Sequence, residues 1–356
     1  MTAKRLGVVI VAFNSADVIL DCLDSLFASD AADRLDVAVV DNASSDDTRT
    51  AIVEWAAGKR SAPHLDGVPG QAAPAPKPIA METVRPGETG SAPLTLILSD
   101  VNGGYAYGVN AGLDYLRTRD GLAGYWVLNP DSIVPPAAPG RFLAALGSAD
   151  QGMFSSRCLY VEAPETIQTD GGRFSRWTGV CTSVNAGRPA ATTPLPDGAT
   201  LDFVTGANIV VPRGFLDRVG PMHEDYFLYY EEVDWAWRRG GQPIAMVAGA
   251  EIYHRGGTSI GSSNGIRQAS PFADYFNQRN RIWFVRRNFP MRTPIAVGWA
   301  LAKAAQALLR TGTSQARAIL AGALDLPPPQ AVADRIADPA ARRLAFGRHA
   351  GKGANR

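Results

Sequence analysis

The sequence is short of cysteine, of unbalanced charge and of long apolar runs, and each shortage excludes a class of protein. Three cysteines in 356 residues, Cys22, Cys158 and Cys181, lie too far apart for zinc-ligand spacing and are odd in number for a disulfide framework. That usage suits a reducing compartment, so a cytoplasmic location is expected. Lys and Arg number 35 against 34 Asp and Glu, and a net charge of +1 gives no basic footprint for nucleic acid. No stretch approaches the roughly 20 apolar residues that span a bilayer. Lys4 and Arg5 before an apolar run at 6–13 imitate a signal peptide. The run is too short, lacks a small-residue cleavage site and is rich in β-branched residues, so it reads as a buried strand. What remains is ordinary globular composition, 46% apolar and 19% charged, in a chain long enough for one large α/β domain with a helical appendage.

The pattern along the chain supports that class. Residues 6–13 form a continuous apolar run, as in a strand covered on both faces. Val18, Ile19, Cys22, Leu23 and Leu26 then recur at helical spacing. A second strand at 36–40 ends at Asp41, and Ser44 to Asp47 supply capping residues for a helix bearing Ile52, Val53 and Trp55. This βαβα opening implies a mostly parallel, Rossmann-like sheet with flanking helices. Residues 58–93 are rich in Pro, Ala and Gly and read as a flexible surface insertion without its own core. Strands resume at 94–98 and 125–128, with a Gly-rich turn at 102–110 and a helix beginning at 111 between them. Residues 153–209 look β-like, and 231–239 helical. Helices at 272–288, 294–309 and 314–324 follow, then a basic tail from 327 expected to fray. The resulting division is a catalytic domain over 1–290, C-terminal helices over 291–326 and a flexible tail over 327–356.

Ligands of open parallel sheets sit at the carboxyl ends of the strands. Asp41, Asn102 and Asp131 all fall at such ends. Asp41 lies too early to cap the next helix, which favours contact with a base or ribose. Asp131, closing Asn129-Pro130-Asp131, suits Mg²⁺ or Mn²⁺ bridging to phosphates, although the same tripeptide can be a plain turn. Glu231, Glu232 and Asp234 crowd one segment beside Tyr229, Tyr230, Trp235 and Trp237. A helix dipole alone would favour acids there, but not the aromatics, on whose faces sugars dock. Adjacent Glu231 and Glu232 point in different directions on a helix, so only one faces substrate. His254, at the end of a short strand before Gly256-Gly257, could complete a metal site, and Arg255 could meet phosphate.

With these segments in place, the chain resembles family 2 glycosyltransferases of the GT-A fold, and in particular bacterial rhamnosyltransferase-like members. The resemblance runs from about residue 6 to 288 and, more weakly, to 326. It rests on an ordered set of seven segments. Val9 to Asn14, Val40-Asp41-Asn42-Ala43-Ser44-Ser45-Asp46 and Asn102-Gly103-Gly104 through Gly112 come first. Leu128-Asn129-Pro130-Asp131, Thr205-Gly206-Ala207, Tyr230-Glu231-Glu232-Val233-Asp234 and His254 through Ser259 follow. It implies nucleotide recognition by Asp41 with Phe13 and Asn14, and a nucleotide pocket shaped by Asn102 and Asn110. Asp131 would be the last acid of an Asp-X-Asp metal motif whose first position here is Asn129, with His254 as a further ligand. Glu232 takes the place of the family's catalytic base, one methylene longer than the usual Asp, with Asp234 as second choice. Thr205, Gly206, Trp235 and Arg238 would frame the acceptor. The implied reaction is a single displacement with inversion, from a dTDP-sugar (best guess rhamnose) or a UDP-sugar to a glycan or lipid-linked acceptor.

Other classes fit less well. A nucleotidylyltransferase needs a Gly-rich basic loop after the first strand, where this chain has Asn14-Ser15-Ala16-Asp17. Gly103, Gly104 and Gly108 have the wrong spacing for a dinucleotide fingerprint. A processive synthase would need membrane spans. A degenerate transferase that only binds a nucleotide sugar is the remaining alternative, supported by Asn129 and Glu232. The helix at 294–309 carries Trp299, Leu301, Leu308 and Leu309 with Lys303 and Arg310. It suits either a membrane surface or packing against the domain or a second subunit.

Overall fold

The computed structural model describes residues 4–63, 67–68, 73–256 and 269–347. Its strands in the first half are β1 (Arg5–Ala12), β2 (Leu35–Asp41), β3 (Met81–Val84), β4 (Leu94–Leu98), β5 (Leu122–Leu128) and β6 (Ser132–Ile133). Then come β7 (Met153–Ser155), β8 (Cys158–Tyr160), β9 (Ile167–Thr169), β10 (Gly172–Phe174), β11 (Cys181–Ser183), β12 (Asn208–Pro212), β13 (Ile244–Met246) and β14 (Ile252–His254). The helices are α1 (Ile19–Phe27), α2 (Thr48–Ala56), α3 (Tyr105–Arg117), α4 (Ala138–Ser148), α5 (Arg213–Val219) and α6 (Glu231–Arg238), followed by α7 (Pro271–Asn288), α8 (Thr293–Arg310), α9 (Thr313–Ala323), α10 (Gln330–Ala333) and α11 (Pro339–Phe346).

Eight strands form the main sheet in the order β13-β7-β12-β5-β1-β2-β4-β3. Every neighbouring pair is parallel except those made by β12, which runs against both β5 and β7. The unbroken apolar run of β1 is explained by two cores. Val9 and Val11 join Leu113 and Leu116 of α3 on one face, while Val8 and Ile10 join Leu20 and Leu23 of α1 and Phe142 of α4 on the other. With both faces dry, no polar alternation is needed. Helix α3 lies close on β1 because Gly108 and Gly112 face it. A Cβ at either would stand 2.5 Å from Val11 or Val9. A smaller mixed sheet, β6-β14-β8-β9, stands beside the main one.

Three sequence expectations need correction. The stretch at 102–110 is a turn only as far as Gly104, whose φ of 90° starts α3 at Tyr105. Of its glycines, Gly104 supplies the positive φ that starts the helix and Gly108 the close contact with Val11 of β1. The stretch at 58–93 is tied to the domain: β3 adds an edge strand beside β4, Val68 is buried, and Lys77 reaches Asp24 at 2.9 Å over the Trp55 ring. The segment after 327 is packed as far as its described end at 347. Val332, Ile336, Ala341, Ala345 and Phe346 share a core with Tyr275 and Phe276 of α7.

Candidate active site

The parallel strands deliver Phe13, Asp41 and Asn129 to one edge of the sheet, each just past or at a carboxyl end. The loops there are cross-tied. Asn14, at φ 49°, accepts from the Ser45 N–H at 2.8 Å and donates its own N–H to Ser44 Oγ at 3.0 Å. Asp46 accepts from the N–H groups of Ala16 and Thr48. Ser44 to Asp46 thus lock the β1 and β2 ends together and begin α2. Asp41 is fully buried; it accepts from the Ser44 N–H and is paired with Arg49. Phe13 is 40% exposed at this edge. Asn42, which motif spacing does not mark as a site residue, braces the next loop. It donates to Asn102 Oδ1 (3.1 Å) and the Gly104 carbonyl (2.9 Å) and accepts from the Gly103 N–H.

Antiparallel pairing of β14 with β6 sets His254 opposite Ser132 and so beside Asp131. Asp131 Oδ1 lies 3.0 Å from His254 Nε2, and Asn129 Nδ2 lies 3.1 Å from the same nitrogen. Gln168 donates its Nε2 to the His254 carbonyl, which turns Oε1 toward His254 Nδ1 at 2.6 Å. The Nδ1 proton is thereby assigned, and Nε2 faces a carboxylate. A proton or a metal cation reconciles that contact. Burial would raise the Asp131 carboxyl, but the nearby His254 charge and hydrogen bonds from His254 and the Gly256 N–H outweigh it and hold it below its usual range. Among the described residues no three His, Cys, Asp or Glu side chains cluster as ligands. One carboxylate and one imidazole nevertheless fit a hard cation that keeps waters and takes phosphate oxygens. Arg255 turns away to Asp21 at 3.0 Å, and Gly257, Thr258 and Ser259 lie outside the described residues.

The acid segment follows a strained loop. Phe227, Tyr229 and Tyr230 have φ of 63°, 69° and 74°, costly for side-chain-bearing residues. Buried Asn280 of α7 holds them there, its amide nitrogen within 2.6–2.9 Å of the Tyr226, Leu228 and Tyr229 carbonyls. Arg279, also buried, donates to Tyr226 O at 2.8 Å. The Tyr105 N–H donates to Phe227 O at 2.8 Å, and Tyr230 Oη to Gly179 O at 2.7 Å. Helix α6 then begins with Glu231, buried with Oε2 lacking a hydrogen bond, and half-buried Glu232. Burial pushes both carboxyls up, and for Glu231 the charge of Glu232 adds to the effect.

Glu232 faces the turn at Thr205 and Gly206. A Cβ added to Gly206 would stand 3.7 Å from its side chain. That turn is tied to Asn129, whose N–H donates to Ala207 O. Tyr105, not among the expected residues, joins the parts: its hydroxyl donates to Gly206 O at 2.6 Å. Burial first, and then the charges of Glu231, Glu232 and Asp131, push its phenol well up. The site therefore brings together Tyr105, Asn129, Asp131, Gly206, Glu231, Glu232 and His254.

Four expected site residues are turned to the interior instead. Asn110 spends its amide on Met222 and Glu224, bracing the approach to the acid loop. Asp234 is fully buried among Tyr226, His223 and Arg238. Arg238 also donates to the Val219 and Pro221 carbonyls, and Trp235 donates to Gly220 O while its ring meets the Phe215 edge. Asp234, Trp235 and Arg238 share the inward face of α6, whereas Glu232 lies off that face.

Residues 7–65 match the model of glycosyl transferase family 2. No curated protein matches the sequence. Residues 1–349 of S. aureus TarS superpose with a TM-score of 0.50 at 13% identity, over 97% of this chain and 89% of that one. GalNAc-T7, crystallised with UDP, GalNAc and Mn²⁺, superposes with a TM-score of 0.55 at 12% identity, over 86% of this chain and 52% of that one. With the sheet order and the flanking helices, these likenesses identify the architecture as the GT-A fold.

Proposed function

We propose that this protein transfers a sugar from a nucleotide diphosphate donor to an acceptor hydroxyl. The observation that carries the proposal is one juxtaposition. The Asp131–His254 pair and the Glu231–Glu232 start of α6 meet around Tyr105 and Gly206, at the carboxyl edge of a GT-A sheet. Phe13, Asn14 and Asp41 would take the nucleoside end at that edge, with Asn102 held in place by Asn42. Asp131 and His254 would hold Mg²⁺ or Mn²⁺, which when bound neutralises charge on the departing diphosphate. The Mn²⁺ and UDP crystallised with GalNAc-T7 support that chemistry.

Glu232 is the proposed base. Asp234 is committed to its ion pairs, and Glu231 is buried, while Glu232 lines the open turn at Gly206. A carboxyl raised by burial is a stronger proton acceptor once ionised, which suits removal of a hydroxyl proton. A base on the acceptor side and a cation on the leaving diphosphate suit a single inverting displacement, which is the proposed course. The proposed donor is dTDP-rhamnose, with UDP-sugars second, and the acceptor a glycan or lipid-linked glycan in the cytoplasm.

Thermal shifts with a panel of nucleotide sugars, in Mn²⁺, Mg²⁺ or EDTA, test this. A shift confined to one dTDP- or UDP-sugar and lost in EDTA is expected. Turnover with that donor should then disappear in Glu232→Gln while donor binding persists. A folded protein that shifts with no donor in the panel would overturn the proposal. Binding without turnover across acceptors would instead favour a nucleotide-sugar binder.

A further inference from the structure

Helix α8 is packed the wrong way round for a helix in water. It buries alanine, namely Ala296, Ala300, Ala304 and Ala307, and turns its large apolar side chains outward. Ile295, Trp299, Leu301 and Leu308 are all substantially exposed, and Leu309 is 87% exposed. On a wheel of 100° per residue these positions occupy the arc opposite the alanines, interrupted only by Gln306, with Lys303 and Arg310 along one border. The apolar surface continues beyond the helix. Met291 is 90% exposed, and Trp177, 55% exposed, lies under the Arg292 guanidinium at 4.4 Å.

Charge identifies what covers this face. Residues 275–324 hold eight basic side chains and no acidic one, in a chain whose net charge is +1. Of these, Arg279 and Arg281 are buried, and Arg287 and Lys303 are paired with Asp225 and Asp274, while Arg292 over Trp177 and Arg310 at the end of α8 stand beside the apolar face. A second copy docked face to face would set these two cations against themselves, which opposes self-association. An anionic bilayer surface attracts them and accepts the Trp and Leu side chains at the acyl boundary. Among the described residues no helix is long and apolar enough to cross a membrane. We infer that α8, with Met291 and Trp177, docks the protein on an anionic lipid surface, lying in its plane.

This docking goes beyond the proposed catalysis and does not depend on it, but the two faces are adjacent. Trp177 lies two residues from Gly179, whose carbonyl receives the Tyr230 hydroxyl, immediately before Glu231. An acceptor anchored in the lipid would be presented beside the acid pair.

The test is sedimentation of the full chain with vesicles of phosphatidylcholine alone or mixed with phosphatidylglycerol. Binding to the mixed vesicles, weak binding to the neutral ones and release by salt are expected. The double variant Leu308→Ser/Leu309→Ser should lose at least about tenfold in partitioning, and Arg310→Glu should lower it as well. Both leucines are exposed, so an unchanged melting temperature confirms folding. Failure to bind the anionic vesicles at low salt would overturn the inference, as would equal binding by the leucine variant. A concentration-dependent dimer in ultracentrifugation that the same variant abolishes would assign the face to a second copy instead.

Discussion

At the scale of single residues, the site depends on two kinds of buried polar group. Glu231 has no hydrogen bond to one oxygen and sits beside Glu232, so burial and charge both favour its protonated form. The folded state then keeps a proton that the unfolded chain releases above the ordinary carboxyl range. Its contribution to stability is therefore full below about pH 4 and declines as pH rises toward the folded value. Glu231→Gln removes that decline. Thermal denaturation should show the variant gaining on the parent at pH 8 relative to pH 5; an identical difference at both values would remove the burial argument. Asn280 acts in the opposite sense, since the two hydrogens of its amide are shared among three carbonyls of a loop that includes left-handed residues. Asn280→Ala should cost about 1–3 kcal/mol of stability. Through the shifted loop it should lower kcat far more than donor affinity. Equal losses in both would make Asn280 a structural residue only.

At the scale of elements, α7 is the spine between the site and the C-terminal segment. One of its faces clamps the acid loop through Arg279 and Asn280. The same Arg279 also donates to Ala345 O of α11, and Phe346 stacks on Phe276 at 5.7 Å. Helices α10 and α11 thereby back the loop that presents Glu232, with Phe227 in the shared core. Phe346→Ala should cost about 3–5 kcal/mol, measured by denaturant unfolding. A near-neutral result would mean that the terminal helix does not contribute to this core.

At the scale of the whole molecule, the two proposed roles fall on different parts of the fold. The parallel sheet gathers strand ends into a polar edge, and the C-terminal helices carry an excess of basic over acidic residues and most of the large exposed apolar side chains. Balanced overall charge hides this segregation, because Asp and Glu concentrate in the sheet domain. A protein so divided can hold an anionic donor at one edge and face an anionic surface with the other part.

Much of this architecture is legible in the amino-acid sequence by itself. The unbroken apolar run of β1 requires a two-faced parallel sheet, and acids at strand ends mark the ligand edge. Both signals are local, since strand burial and strand ends are written in consecutive residues. The order of weak motifs adds the GT-A resemblance. Tertiary structure alone decided the rest. Which of Glu232 and Asp234 lines the turn at Gly206 depends on which face of α6 packs inward, and in the folded chain Tyr226, His223 and Arg238 hold Asp234 in the interior. Tyr105 and Asn42 enter the site through contacts up to 101 residues away, which no spacing reveals. The tail at 327–347 reads as loose because alanine packing leaves little hydrophobic periodicity. Its order comes from aromatic residues of α7 that only the folded chain brings alongside.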